Sequence, residues 1–168
     1  MVQNKLSRLV MQKKQPVNIV PVKEGDAEFL WKLANDTEVR AVSFSTDAIK
    51  WEDHIKWLKS KLNSQSCLFY IAYNSENFPV GQVRYDITNN EAVISISLVK
   101  EFRGKGYGST MIKVSVERLF KLTNVVKIHA YIKPTNIASI FAFLKADFKT
   151  IRLITYQNQK VIDLILDR

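Results

Sequence analysis

Residues Lys100–Thr110 read KEFRGKGYGST and place three of the chain's five glycines within five positions. The preceding run, AVISISLV over Ala92–Val99, alternates and is rich in β-branched residues, which predicts a strand. The following run, STMIKVSVERLFKL, has the apolar spacing of a one-faced helix, at Met111, Ile112, Val116, Leu119 and Phe120. The glycines therefore form a loop between a strand and a helix.

A glycine loop at this kind of junction is suited to binding an anion. The loop amides and the unpaired first amides of the helix point the same way, and the helix dipole adds partial positive charge. Gly106 and Gly108 let the backbone approach a ligand without an intervening Cβ. The spacing matches neither the Rossmann glycine pattern nor a P-loop. We therefore expect a phosphorylated ligand of another kind.

Composition indicates one domain and a basic tail. The 168 residues, 46% of them hydrophobic, suit a single domain with a complete core. The net charge is +9, and residues 1–16 carry four of the positive charges and no acid, so we expect a flexible basic tail before one domain over residues 17–168. A basic balance favours an anionic ligand such as a nucleotide and allows weak nucleic-acid or membrane contact. Because the tail lacks interleaved aromatic residues, we rank nucleic-acid binding last.

Cysteine usage and hydropathy indicate the compartment. Cys67 is the single cysteine, which excludes an intrachain disulfide and favours a reducing, cytoplasmic location. The first residues have no apolar core of signal-peptide length, and no later run reaches the roughly 18 apolar residues of a membrane span. We therefore expect a soluble, cytoplasmic protein without membrane contact.

The periodicity predicts an alternating order of elements. A short strand near Val17–Lys23 precedes a helix near Asp26–Asn35, a loop and a helix with Trp51, Ile55, Leu58 and Leu62 on one face. Three strands then form an antiparallel meander that ends at the glycine loop. After the loop and its helix, the predicted order is a strand at Val126–Ile132, a helix at Asn136–Ala146 and a final hairpin.

This order, with a loop reading Arg103-x-x-Gly106-x-Gly108, resembles the GCN5-related N-acetyltransferases (GNAT). The resemblance implies an α/β (α+β) fold with a mixed, mostly antiparallel sheet of about seven strands, splayed at the cofactor site and flanked by about four helices. It also implies that loop amides bind the pyrophosphate of acetyl-coenzyme A (acetyl-CoA). Carried over by position, the loop and the first helical turn would consist of Arg103, Gly104, Lys105, Gly106, Tyr107, Gly108 and Ser109.

A second signature lies downstream. Asn136-x-x-Ser139 followed by Phe143, Lys145 and Phe148 resembles the family's N-x-x-[AS]-x-x-x-Y-x-K-x-G-F pattern, which implies that Asn136 and Ser139 face the cofactor. Phe143 stands where many members have a tyrosine that protonates the leaving thiolate, and Asp147 stands where they have glycine. Phenylalanine has no proton to give, so we interpret Phe143 as a core aromatic residue.

Acetyl transfer to an amine needs an oxyanion site and a route for the amine proton. The resemblance implies that the strand ending at Leu98 and Val99 supplies the N–H groups for the thioester. His54 is the candidate general base, because its ordinary pKa of about 6.5 suits proton transfer near neutrality. A buried, structural histidine is the competing interpretation. The open alternatives are Asp86, Tyr85 and a water relay, whereas Ser95, Ser97 and His129 are interpreted as structural or water-holding groups.

The segment from Ala34 to Leu62 resembles acetyltransferases that act on 4-amino groups of nucleotide-linked sugars, as in the pseudaminic-acid pathway. The matching residues are Asn35, Val39, Arg40, Ser43, Phe44, His54 and Trp57. By this resemblance the segment forms one wall of the acceptor pocket, with Arg40 suited to a phosphate and Phe44 or Trp51 suited to a ring.

The sequence therefore predicts an N-acetyltransferase that uses acetyl-CoA and a small, anionic amine acceptor, without a metal, as a monomer or homodimer. Two alternatives remain open. One is a protein or peptide amine acetyltransferase of the same fold, which needs an open acceptor groove. The other is a noncatalytic acyl-CoA-binding module, which Phe143 and the lack of a carboxylate inside the cofactor strand favour.

Overall fold

The computed structural model describes residues 15–168, so the predicted basic tail lies outside it up to residue 14. The seven strands are β1 (Asn18–Pro21), β2 (Cys67–Tyr73), β3 (Pro79–Thr88), β4 (Glu91–Leu98), β5 (Lys127–Ile132), β6 (Lys149–Tyr156) and β7 (Gln159–Asp167). The α-helices are α1 (Ala27–Ala34), α2 (Thr37–Val42), α3 (Trp51–Leu62), α4 (Tyr107–Leu122) and α5 (Ile137–Lys145). Short 3-10 turns occur at Glu24–Asp26 and Lys100–Phe102.

All strands belong to one open sheet in the order β1-β2-β3-β4-β5-β7-β6. Only the β4–β5 pair is parallel, and its register covers just three residues on each strand, ending at Val93 and His129. Beyond that point the two strands no longer pair with each other, although β4 continues to Leu98 beside β3 and β5 continues to Ile132 beside β7. The sheet therefore splays open between β4 and β5, which confirms the predicted mixed and mostly antiparallel architecture.

Helices cover both faces of the sheet. Alternate residues of β2 enter two different apolar clusters: Phe69 and Ile71 pack with α1 and α3, whereas Tyr70 and Ala72 belong to the larger core under α4 and α5. Period-2 alternation between two buried faces is expected of a strand inside a three-layer fold. The opening between β4 and β5 therefore lies in a sheet that has packed helices on both of its faces.

One helix was not expected from the sequence. The stretch after Asn35 was predicted as a loop and the fold was predicted to have four helices, but Thr37–Val42 is helical, which makes five α-helices within residues 15–168. Asp36 begins it as an N-cap, because its carboxylate accepts the backbone N–H groups of Glu38 and Val39. The helix has only six residues and no buried one, so apolar periodicity carries no signal for it.

The end of α5 explains both departures from the family signature. Asp147 has φ 69°, the left-handed conformation that glycine favours and that aspartate tolerates better than most residues. The N–H of Phe148 bonds to the Phe143 carbonyl (3.1 Å) and the N–H of Asp147 bonds to the Leu144 carbonyl (3.1 Å), which is a Schellman ending. The rings of Phe143 and Phe148 pack edge to face at 5.0 Å, the apolar contact that accompanies this motif. Phe143 is therefore a packed core residue.

Candidate active site

The splay opens into a cleft of about 1220 Å³. Its walls come from the unpaired half of β4, the end of β5, the glycine loop, α5, the α2–α3 segment and the tip of the β6–β7 hairpin. The cleft has two halves. The side lined by the glycine loop and α5 is here called the cofactor half, and the side lined by α2, the following loop, α3 and the hairpin tip is called the acceptor half.

The backbone of β4 supplies hydrogen-bonding groups between the two halves. The Val99 N–H bonds to the Val80 carbonyl at 3.0 Å, so the backbone groups of Val99 point toward β3. Because backbone direction alternates along a strand, the backbone groups of Ser97 and Ser95 also point toward β3. The backbone groups of the residues between them, Leu98, Ile96 and Ile94, then point toward β5 and into the splay. These N–H groups lie where the resemblance places the donors to a thioester carbonyl.

The glycine loop has the geometry of an anion site. Gly104 and Gly106 adopt φ 72° and φ 88°, which L side chains rarely adopt, and Gly106 is the N-cap of α4. The first turn of α4 contains no acidic residue that would occupy its amides. A Cβ on Gly108 would lie 3.4 Å from Leu98 Cδ1 and 3.5 Å from Ala142 Cβ, so a larger side chain would fill the space between β4 and α5. The residues present fit a pyrophosphate.

The side chain of Arg103 is bound within the protein. Its Nε and Nη2 donate to the Leu98 carbonyl at 3.0 and 2.9 Å, and the guanidinium also pairs with Asp36 at 2.8 Å and Glu38 at 2.9 Å. Burial raises the pKa of Asp36, but the hydrogen bonds from Arg103 and from backbone amides outweigh it, so the pKa lies below its usual value. Arg103 N–H donates to the Lys100 carbonyl. Arg103 thus connects the end of β4 to the start of α2.

The other predicted cofactor residues divide into two groups. Asn136 caps α5 by accepting the N–H of Ser139 at 3.2 Å, and both residues line the cleft. Val99, Lys105 and Tyr107 do not line it: the Lys105 side chain is exposed, and Tyr107 packs edge to face on Phe102 at 5.3 Å. The predicted cofactor residues that line the cleft are Leu98, Arg103, Gly104, Gly106, Gly108, Ser109, Asn136 and Ser139.

In the acceptor half, the Arg40 side chain bonds to the backbone of the loop that forms part of the wall. Its guanidinium donates to the carbonyls of Ala34 (2.6 Å), Ser45 (3.0 Å) and Asp47 (3.5 Å) and to Ser43 Oγ (3.0 Å). Burial lowers the pKa of Arg40, which still remains charged at neutral pH. No carboxylate is among these partners, so the positive charge beside the cleft is not neutralised by them.

The motif that resembles the amino-sugar enzymes specifies the shape of this loop. Asn35 exchanges two hydrogen bonds with the backbone of Ile49, at 2.8 and 3.1 Å, and Ser43 Oγ donates to the Val39 carbonyl at 2.6 Å. Together with Arg40, these side chains fix the path of residues 43–49. The side chains of these motif residues therefore make hydrogen bonds that hold the loop backbone in place.

Aromatic side chains enclose the far end of the acceptor half. Phe44 packs edge to face on Tyr156 at 5.3 Å, and Tyr156 stacks on Tyr131 at 4.3 Å. Gln159 Nε2 donates to the Phe44 carbonyl at 2.7 Å, which ties the loop to the β6–β7 hairpin. Trp51, by contrast, does not line the cleft and packs edge to face on Trp31 at 5.5 Å. Trp57 lines the cleft instead.

His54 lines the cleft but is only 2% exposed. Its Nε2 lies 2.9 Å from the Ala27 carbonyl, which can only accept, so Nε2 carries the proton and Nδ1 is the basic atom. Burial lowers the pKa of His54, and the bond to Ala27 offsets this only in part. The ring is therefore neutral at pH 7.

The strand β3 adds two polar residues that the sequence analysis did not select, Gln82 and Arg84, beside Asp86, which it kept as an alternative base. Gln82, Arg84 and Asp86 alternate on the face opposite the α4 core, and all three line the cleft. Burial raises the pKa of Asp86, but Lys61 and Arg84 bind the carboxylate and hold the pKa below its usual value. The PVGQVRYDI alternation was a signal for a polar strand face, but only the tertiary fold places that face on the cleft.

The remaining sequence candidates lie elsewhere or are engaged. Tyr85 is fully buried on the opposite face, where its hydroxyl bonds to Ser115 Oγ at 2.8 Å. His129 lies between Asp163 (3.0 Å) and Glu91 (3.3 Å) and does not line the cleft. Ser95 and Ser97 both line it. Residues 15–168 contain no cluster of three or more potential metal-ligating side chains, and none of their helices is long and apolar enough to span a membrane.

Known structures share this architecture. AAC(6')-Ib, an aminoglycoside acetyltransferase solved with ribostamycin and coenzyme A, superposes with a TM-score of 0.81 at 22% identity over 90% of this chain and 93% of that one. Spermidine N-acetyltransferase from Vibrio cholerae, solved with coenzyme A and spermine, gives 0.78 at 16% identity over 90% and 95%. A domain from Methanocaldococcus jannaschii gives 0.78 at 22% over 90% and 99%. No curated protein sequence matches the chain.

The splayed sheet with a glycine loop at a helix N-terminus defines the acetyltransferase class that the sequence motif predicted. The family model of the GNAT acetyltransferase domain matches residues 17–149, which is most of the chain. The chain belongs to this family and is an acetyl-CoA-dependent acetyltransferase.

Proposed function

We propose that the protein transfers the acetyl group of acetyl-CoA to a primary amine of a small acceptor. The observation that carries the proposal is the cleft itself, in which β4 separates a half built from backbone amides from a half built from side chains. Two reactants that enter from opposite sides of one strand can meet at its free N–H groups. Holding both in this geometry is the main contribution expected of the chain.

In the cofactor half, the amides of the glycine loop and of the first turn of α4 would hold the pyrophosphate. The N–H groups of Ile96 and Leu98 would polarise the thioester carbonyl and stabilise negative charge on its oxygen. When bound, the cofactor supplies an activated acetyl group on a thiol that can leave. Because Phe143 has no proton to donate, we assign protonation of the thiolate to water.

In the acceptor half, the amine must lose a proton as its nitrogen bonds to the acetyl carbon. We propose His54 for this role, through Nδ1, since burial keeps the ring neutral at pH 7 and Nε2 is fixed by Ala27. If His54 is the base, His54→Gln keeps a donor for the Ala27 carbonyl and lowers kcat about 100-fold, with a pH profile that is flattened below about pH 6.5, where the lowered pKa of His54 lies. An unchanged pH profile would assign the proton to solvent.

The charges of the acceptor half favour an acceptor that is not a polycation. Arg40, Arg84, Asp53 and Asp86 all line the cleft. Arg84 pairs with Asp86 at 3.0 Å and Glu38 pairs with Arg103, so acidic groups are not in excess among these residues. A polyamine or aminoglycoside carries several positive charges and would need such an excess. The aromatic wall of Phe44, Tyr131 and Tyr156 suits a ring, and the resemblance of the α2–α3 segment points to a nucleotide-linked amino sugar.

The connection between the loop and the hairpin favours a small acceptor over a peptide. The bond from Gln159 to the Phe44 carbonyl, with the Phe44–Tyr156 contact beside it, joins the two outer walls of the acceptor half. A peptide substrate needs a groove that is open at both ends. We therefore keep peptide acetylation as the second candidate, and the test below separates the two.

The experiment is a comparison of coenzyme A release with four amines: a uridine diphosphate-linked 4-amino sugar, kanamycin, spermidine and a lysine-containing peptide. We expect the highest kcat/KM with the amino-sugar nucleotide and N-acetylation of its amine by mass spectrometry. Preference for the peptide would replace the small-acceptor assignment, and preference for kanamycin or spermidine would contradict the charge argument. Acetyl-CoA binding without release with any of the four amines would support a noncatalytic module.

A further inference from the structure

Gln82 has an unusual environment for a buried polar side chain. It lies on β3 opposite Ser97, lines the cleft and is only 9% exposed. Its Nε2 donates to Ser97 Oγ at 3.3 Å, whereas its Oε1 has no partner. Within residues 15–168, Oε1 is the single buried side-chain nitrogen or oxygen atom that lacks a hydrogen bond. Such an atom costs folding free energy, so its presence calls for a functional reason.

The position of Gln82 relates this atom to the reaction. Ser97 belongs to the splayed half of β4, next to Leu98, whose backbone groups point toward β5 and into the splay. The side chains of Gln82 and Ser97 lie on the opposite, acceptor side. A chemical group that is bound beside Gln82 and Ser97 therefore approaches Leu98 from the acceptor side, whereas the cofactor approaches it from the other side.

The amide can present its oxygen to the cleft without rearrangement of the strand. The terminal torsion of glutamine is soft, so the amide turns at little cost. While Nε2 donates to Ser97 Oγ, Oε1 stays available to a ligand, so the pair keeps its hydrogen bond when Oε1 is bound. The Gln82–Ser97 pair is thus able to adapt to a bound group.

We propose that Gln82 Oε1 accepts a hydrogen bond from the amine of the acceptor and makes Gln82 an amine-binding residue. This inference rests on the proposed amine acetyltransferase activity but on no particular acceptor. A primary amine that attacks a carbonyl must direct its lone pair at the carbon, and an acceptor on one of its N–H bonds fixes that direction. An amide oxygen is suitable because it binds the amine without taking its proton.

The test uses Gln82→Met, which keeps the length and volume of the side chain but removes the acceptor atom, and Gln65→Met as the control at an exposed position. Both are assayed with the four amines named above, and the melting temperature of each is measured without ligands. For Gln82→Met we expect kcat/KM for the best of the four amines to fall about 10- to 100-fold, with the KM for acetyl-CoA within about twofold of wild type. The melting temperature should stay unchanged or rise, because an unpaired buried atom is removed.

The outcomes are distinguishable. A wild-type protein that acetylates none of the four amines removes the proposed activity and this inference with it. A Gln82→Met protein with unchanged kcat/KM overturns the inference alone, and one with a clearly lowered melting temperature assigns Gln82 to the structure instead. Gln82→Glu keeps acceptor oxygens and should retain more activity than Gln82→Met, whereas less activity would mean that the amide faces the amine through its NH₂ group.

Discussion

The two halves of the cleft recognise their ligands by different means. The cofactor half consists mainly of backbone: left-handed glycines, the first amides of α4 and the free N–H groups of β4. The acceptor half consists of side chains from several helices, strands and loops, held by contacts such as Phe44–Tyr156 and Gln82–Ser97. A backbone site depends on conformation, whereas a side-chain site depends on register and packing. Substitutions in the two halves should therefore change different kinetic constants.

The largest expected effect is in the cofactor half. Gly106→Val places a β-branched residue at φ 88°, a conformation that only glycine adopts readily. We expect the affinity for acetyl-CoA to fall about 100-fold, equivalent to about 2.7 kcal/mol, in a protein that still folds. Titration calorimetry measures this, and Gly25→Val is the matched control because its Cβ would meet open space. Equal affinity in the folded Gly106→Val protein would disprove the loop assignment.

The next effect should reach both halves, because it alters the strand between them. A Cβ on Gly81 would overlap the Ser97 carbonyl oxygen, so Gly81→Ala must displace β3 or the end of β4. We expect a loss of about 2 kcal/mol in unfolding free energy and a melting temperature lower by roughly 4–8 °C. The KM values of both substrates should rise. Gly25→Ala serves as the control, and a rise in only one KM would mean that the strand is not displaced.

A smaller and more selective effect is expected in the acceptor half. Arg40→Ala removes hydrogen bonds that fix residues 43–49, and we expect the KM of the amine to rise about 10-fold, with that of acetyl-CoA nearly unchanged. Arg40→Lys keeps the charge but not the forked geometry. Recovery by lysine would indicate that charge toward an anionic acceptor matters more than loop shape. If Arg40→Ala raised the KM of both substrates equally, the two halves would not bind their ligands independently.

A pH effect on stability should arise from His54. Its pKa is lowered in the folded protein, so below the ordinary value of about 6.5 the unfolded chain binds the proton first. The unfolding free energy should therefore fall as the pH decreases from about 6.5 toward 5, and the slope should be smaller in His54→Gln. Denaturant unfolding at several pH values measures it. An identical slope in the two proteins would mean that the buried ring does not resist protonation.

The smallest effect is expected at Asp147, which follows α5 and does not line the cleft. Asp147→Gly relieves the left-handed conformation at φ 69° and removes only an exposed ion pair with Lys113. We expect a gain of about 0.5 kcal/mol in unfolding free energy and unchanged kinetic constants. Asp147→Ala keeps the strain and should show no gain. If Asp147→Gly were less stable than wild type, the ion pair with Lys113 would contribute more to stability than its exposure suggests.

The same contrast explains what could be predicted from the sequence. The glycine loop, the strand before it and the helix after it are local in sequence, so spacing alone predicted a glycine loop between a strand and a helix; the helix begins at Tyr107, two residues before the run that indicated it. Helix Trp51–Leu62 was predicted with its observed bounds, because its apolar face is regular. Local patterns of this kind need no knowledge of the tertiary fold.

The acceptor half required information that spacing does not contain. Gln82 faces Ser97 only through the register of β3 and β4, and Tyr156 reaches Phe44 from 112 positions later in the chain. Arg40 and Trp51 have residue types suited to a phosphate and a ring, but the fold commits the first to backbone carbonyls and the second to Trp31. Residue type alone therefore did not predict the contacts that these two side chains make.

The central claim, that acetyl-CoA is bound by the backbone half alone, is tested most directly by hydrogen–deuterium exchange with and without acetyl-CoA. The account predicts slower exchange in peptides that contain Gly104–Ser109 and Ile94–Leu98, with no change at residues 40–49. Protection at residues 40–49 without protection of the glycine loop would contradict it.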